Sequence, residues 1–280
     1  MHLIQSQYGK SEIGLLKVFR DGDLQTVQEI VVSVLVTGDF AGAFELGDNS
    51  KTVPTDTIKN TVYALAHDHL GLDGIEPFGL RLADHFLGKY PSFDGLEIRL
   101  ESKPWGRMTL DGKPHPHAFQ KTGYGTQTAL ICANRNGFRE VNSGIKDLEI
   151  LKSTGSGFVG FPRCEFTTLP EVTDRIMATR LTASWQFSNP SADFLDVASR
   201  VRSAFIDVFA QQYSRAVQET LFQMATLALG RCPELSQVEI RLPNLHYFPF
   251  DLSRFGQEND SVIFYPAPNP HGDISATVSR

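Results

Sequence analysis

The chain has 280 residues, 41% of them hydrophobic and 21% charged, with a formal net charge of -6. That is enough for a sizeable core in one large domain or two ordinary ones. A mildly acidic chain without a Lys/Arg cluster is not built for a nucleic-acid backbone, and its longest apolar stretch, Ile30 to Val36, is too short to span a membrane, so neither partner is expected.

Ile13 to Arg20 and Thr26 to Thr37 are rich in Val, Leu and Ile, with the turn signal Asp21-Gly22-Asp23 between them, and predict a hairpin. Gly38 to Lys51 is a Gly-rich polar connection. Val53 to Tyr63 then opens a helix. Pro54 biases its predecessor toward extended backbone, Thr55, Asp56 and Thr57 are all suitable N-caps, and Ile58, Val62 and Leu65 share one helical face. The unpaired N–H groups of such a helix end suit an anion. This helix runs to His69, and a second covers Pro77 to Tyr90. Strands follow at Leu96 to Lys103, Gly106 to Leu110 and Gly125 to Ala133.

The second half repeats that order. Ile145 to Lys152 and Arg180 to Phe187 alternate as strands, with a short helical insert at Thr168 to Met177. Phe194 to Gln212 and Ala216 to Leu229 are amphipathic helices. Val238 to Leu242, Val262 to Tyr265 and Ile274 to Val278 return to strand. Tandem ββααββ units, 1–136 and 137–280, imply an α+β fold of antiparallel sheets with helices on one face. The open edges of such sheets call for self-association.

Cofactor signals are absent. His115-Pro116-His117 and His67-Asp68-His69 lack the further ligands of a zinc site, and no P-loop, dinucleotide fingerprint or nucleophile elbow occurs. Cys132, Cys164 and Cys232 are far apart. An odd count, with no signal-peptide pattern and no peroxisomal Ser-Lys-Leu ending, predicts reduced thiols in the cytoplasm. Taken singly, the remaining polar residues have ordinary readings. Asn244 and His246 share a face if their strand continues. Arg175 is a surface residue of the short insert, Gln218 lies on a helix surface, Lys10 precedes a strand and Phe158 belongs to the core.

In combination they resemble the urate oxidase (uricase) family over nearly the whole chain. The resemblance rests on Tyr8-Gly9-Lys10, Thr55-Asp56-Thr57-Ile58-Lys59-Asn60-Thr61, Asp111-Gly112-Lys113-Pro114-His115-Pro116-His117 and Leu151-Lys152-Ser153-Thr154. It continues through Phe166-Thr167-Thr168-Leu169, Asp174-Arg175, Val217-Gln218 and Leu242-Pro243-Asn244-Leu245-His246-Tyr247-Phe248. Pro54, Val159 and Pro162 depart from the family's pattern.

The resemblance implies two tandem T-fold units in a homotetramer around a tunnel-shaped barrel, with active sites between subunits. It implies oxidation of urate by O2 to 5-hydroxyisourate and hydrogen peroxide, with no metal or organic cofactor. Arg175 and Gln218 then hold the purine edge, Phe158 stacks on its face, Leu169 is apolar wall and the Val217 backbone adds a hydrogen bond. Thr55 and Asp56 reach in from a neighbouring subunit. Lys10, Thr55 and His246 form a proton relay, and Asn244, with Thr55, holds O2 and then water. The competing expectations are another T-fold enzyme acting on a pterin or purine, disfavoured by the missing metal ligands, and a non-catalytic purine binder, disfavoured by the intact relay residues.

Overall fold

Ile30, Val32, Val34 and Val36 alternate along one strand and are all fully buried. Each such side chain contributes about 1.5–3 kcal/mol on leaving water. This period of two sets the face on which the first half of the chain is built. The computed structural model describes residues 2–20 and 22–280, so Asp21 of the expected turn lies outside the described residues. The chain divides into two compact units, one of residues 1–144 with 186–196 and the other of residues 145–185 with 197–280.

In the first unit β1 (Tyr8–Phe19), β2 (Thr26–Gly38), β3 (Phe93–Lys103) and β6 (Thr126–Asn134) are antiparallel neighbours in that order. Helices α2 (Thr55–His69) and α3 (Glu76–Lys89) pack on them, α2 against β1 and α3 against β3 and β6. Ile58 and Val62 of α2, Phe78, Leu82 and Phe86 of α3, and Leu96, Ile98, Leu100 and Ile131 of the strands are all buried and form the core of this unit. Both helices begin within one residue of their predicted starts, because apolar periodicity is a local property of the sequence.

The start of α2 differs in one respect. Pro54 is the N-cap and no side chain caps the helix, so Thr55 is its first residue rather than its cap. Asp56 instead accepts hydrogen bonds from Lys59 at 2.6 Å and Asn60 at 2.8 Å, one turn along. At the other end, the Lys17 ammonium donates to the carbonyls of Ala66, His67 and Leu70 at 2.9, 2.8 and 2.7 Å, placing a cation at the negative end of the helix.

Two further elements depart from expectation. The connection at Gly38 to Lys51 contains a short helix, α1 (Ala41–Leu46), preceded by the buried Phe40, whose ring meets Tyr8 edge-on at 4.7 Å. The Asp111–His117 motif forms a hairpin, with β4 (Trp105–Leu110) paired to β5 (Lys113–Lys121). Its tip is Asp111-Gly112, both at positive φ, the backbone that two-residue hairpin turns require. Pro114 and Pro116 obscure the strand in the sequence, yet proline is tolerated in such edge strands. Glu29 of β2 ties the hairpin down, accepting from Trp105 Nε1 at 2.7 Å and Lys121 Nζ at 2.6 Å. Chiefly the Lys121 bond holds the Glu29 carboxyl down at about 2.

In the second unit the neighbours run β7 (Arg139–Lys152), β8 (Met177–Phe187), β9 (Leu235–Pro249) and β10 (Phe264–Ser279). Helices α4 (Phe194–Gln211) and α5 (Val217–Arg231) supply its apolar layer, and α5 lies on β9 and β10. The two last predicted strands are one, β10, interrupted by a register shift between Ala267 and Gly272. The Thr168–Met177 helical insert does not exist. That segment is extended and bent, and Met177 already belongs to β8. Its backbone is claimed by a distant stretch: Phe158 and Val172 exchange both N–H···O bonds, at 2.7 and 3.1 Å, and Arg175 N donates to Ser156 O at 2.8 Å. Non-local pairing overrides the weak helical periodicity of ten residues.

Candidate active site

Phe158, Leu169, Arg175, Val217, Gln218, Asn244 and His246 line one cavity of about 440 Å³, wholly within the second unit. That size suits a small molecule. Three parts of the fold deliver them. The zipped segments 156–158 and 172–175 bring Phe158 and Arg175 together, and the guanidinium carbon lies 5.5 Å over the Phe158 ring. Gly157 allows this close approach, since a Cβ there would stand 2.3 Å from the Tyr213 hydroxyl oxygen. The Asp174 carboxylate fixes the outer end, accepting from Thr154 Oγ1 at 2.7 Å and Gly155 N at 2.8 Å. Those two bonds, the Thr154 bond foremost, hold its pKa below the ordinary carboxylate value.

The start of α5 supplies Val217 and Gln218. Ala216 is extended, and the first helical bond is Thr220 N to Ala216 O at 3.2 Å. The N–H groups of Val217 and Gln218 take no hydrogen bond among the described residues, which leaves the positive helix end facing the cavity. Strand β9 supplies Asn244 and His246. It continues to Pro249, so the two side chains do share one face, and the His246 ring lies 5.6 Å from the Phe248 ring at 19°. Burial, then the neighbouring charges of Arg175 and His271, push the His246 pKa down, so its imidazole is neutral at neutral pH. Burial also lowers the pKa of Arg175, far too little to discharge a guanidinium.

Among the described residues, the side chains of Arg175, Gln218, Asn244 and His246 form no hydrogen bond within the chain. Groups of this kind in a partly apolar cavity normally find partners. Four unpaired ones converging together present a fork of donors, an amide edge, a second amide and a neutral imidazole, above an aromatic face. That arrangement fits a flat, polar-edged, anionic heterocycle.

Lys10, Thr55 and Asp56 lie in the first unit and do not line this cavity. They are neighbours there. Lys10 sits at a bulge of β1, beside Gly9, where a Cβ would stand 1.9 Å from Val34 O. The Tyr8 hydroxyl receives the Val53 N–H at 2.8 Å, which ties β1 to the start of α2. The Lys59 hydrogen bond and charge dominate the lowered pKa of Asp56, and Lys10 adds to it. The N–H groups of Thr55, Asp56 and Thr57 are unbonded among the described residues, since Ile58 N to Pro54 O is the first helical bond.

Sequence reasoning missed part of the wall. Phe248 continues the alternation of Asn244 and His246, so the period of two already pointed to it. Phe264 and Ile274 carry no such signal, because only the pairing of β10 with β9 brings them in. Among the described residues, no group of three or more His, Cys, Asp or Glu is placed to hold a metal ion.

Comparison with known proteins adds a family. The uricase family model matches residues 6–132 and 141–275. The chain is 38% identical to the uricase of Oryctolagus cuniculus over 286 aligned positions, covering 100% of this chain and 95% of that protein. It is 39% identical to the Dictyostelium discoideum uricase, over 99% of this chain and 97% of that one. The crystal structure of uricase from Arthrobacter globiformis superposes with a TM-score of 0.93 at 39% identity, covering 100% of this chain and 95% of that chain.

Proposed function

The chain belongs to the uricase family, and from that premise we propose that it oxidises urate with O2 and water to 5-hydroxyisourate and hydrogen peroxide. The observation that carries this reading is the convergence of unpaired Arg175, Gln218, Asn244 and His246 on one cavity beside Phe158. Urate is flat, anionic near neutral pH and edged with alternating N–H and C=O groups. Arg175 and Gln218 bind that edge, the Val217 N–H adds a further donor, and Phe158 stacks on the ring while Leu169 closes the side. The positive charge of Arg175 and of the α5 helix end complements the anion.

The chemistry assigned to the chain is positioning and proton transfer. Urate gives up a further proton and then an electron pair to O2. O2 leaves as hydrogen peroxide, and water adds to the oxidised purine. Lys10, with Thr55 as hydroxyl bridge and His246 as neutral acceptor, carries the protons, and Asn244 holds first O2 and then water above the ring. No metal or organic cofactor is assigned a role. Because Lys10, Thr55 and Asp56 are not among the cavity-lining residues, we assign them to the cavity of a second copy, in a homotetramer whose active sites lie at subunit boundaries.

The test is direct. Purified protein in air should remove urate absorbance with matched O2 uptake and peroxide release, at the same rate with and without a chelator. Absence of urate consumption would refute the reading, and loss of activity on chelation would refute its cofactor-free form.

A further inference from the structure

We propose that Phe161 is a positioning residue for substrate, holding the Phe158 ring as a fixed stacking platform; this inference rests on the urate reading of the cavity. The two rings are parallel, at 11° with centroids 4.9 Å apart. Phe158 lines the cavity and Phe161 does not. Phe161 therefore stacks on Phe158 without itself lining the cavity, and so braces the ring that a ligand meets.

The local backbone makes this possible. Gly160 takes φ +74° and turns the chain so that residues three apart meet. Its N–H donates to Glu171 at 3.2 Å, across the same pair of segments that Phe158 and Val172 zip together. The Phe158 backbone is thus held by the Val172 pairing. Its ring is held by Phe161, and Arg163 lies 5.5 Å over the far ring.

A platform in this position acts on ring binding before and during the reaction alike, because a stacked purine touches Phe158 throughout. Losing it lowers affinity uniformly, which raises KM and leaves kcat nearly unchanged. The change expected is roughly 2- to 10-fold, the weight of one aromatic pair.

The experiment measures kcat and KM for urate, and the affinity of xanthine as a planar purine probe, for full-length Phe161→Leu, Phe161→Tyr, Phe158→Ala and Phe158→Ala/Phe161→Leu. Leucine keeps apolar bulk without a ring, so the chain stays packed. Phe161→Leu should raise KM and weaken xanthine by the same factor with kcat within about two-fold, and Phe161→Tyr should match the parent protein. In the Phe158→Ala background, Phe161→Leu should add nothing, since its effect runs through the missing ring. If Phe161→Leu leaves KM unchanged while Phe158→Ala raises it, the inference is overturned and the urate reading stands. Additive loss in the double variant overturns it equally. If Phe158→Ala itself leaves KM unchanged, the stacking part of the functional reading fails first.

Discussion

The guanidinium carbon of Arg175 lies 5.5 Å over the ring of Phe158, and among the described residues no carboxylate pairs with it. A half-buried cation left without a carboxylate is costly unless something else completes it. On the proposed function, urate is the group that completes it. Arg175→Gln should therefore raise KM on the order of 10- to 100-fold, the range of a charge-assisted pair, with a smaller change in kcat. Steady-state kinetics on urate check this, and a parent-like KM would remove Arg175 from the site.

Lys10 and Thr55 are expected to serve chemistry rather than binding. Lys10→Met should lower kcat by about 100-fold or more, the usual weight of a proton-transfer group, and change urate affinity only a few-fold. Stopped-flow turnover beside equilibrium binding separates the two. Equal losses in both would contradict the role.

His246 titrates below its ordinary value of 6.5 because of burial and the nearby Arg175 and His271 charges. It is a competent proton acceptor only when neutral. Activity should thus fall on the acid side with a midpoint below pH 6.5. Arg175→Gln removes one of the opposing cations, so that midpoint should move upward. A pH profile of kcat/KM in the parent and in Arg175→Gln reads both.

Glu76 is fully buried in the first turn of α3, where it accepts from the Ser143 hydroxyl and, at 3.1 Å, from Ile75 N. Burial is the main cause of its raised pKa. A carboxyl whose folded pKa is raised adds stability below its unfolded value and loses it as pH rises through the folded value. Glu76→Gln should accordingly gain on the parent protein as pH rises above 4.5. Melting temperatures across pH 4 to 9 test this, and a pH-independent difference would rule out titration of Glu76.

If Lys10, Thr55 and Asp56 act in a neighbouring copy, dilution to monomers should abolish turnover and weaken urate binding, and activity should return on reassociation. Activity followed against light-scattering mass decides it. A turning-over monomer would refute action in trans.

The sequence alone determined the elements whose signal is local. The Val, Leu and Ile richness of Thr26 to Thr37 and the helical spacing of Ile58, Val62 and Leu65 depend only on neighbours along the chain, and they yielded β2 and the full extent of α2. Asn244 and His246 were legible as a same-face pair for the same reason. What faces what was decided elsewhere. Arg175 read as part of a helix until distant Ser156 and Phe158 claimed the backbone around it, and the strand Lys113–Lys121 was hidden by two prolines that only an edge position accommodates. The Phe158–Phe161 stack rests on a positive φ at Gly160, and the gathering of Arg175, Val217 and His246 from a loop, a helix start and a strand rests on long-range pairing. Periodicity carries no information about contacts closed across seventy residues, and those contacts are what turn separate polar side chains into a site.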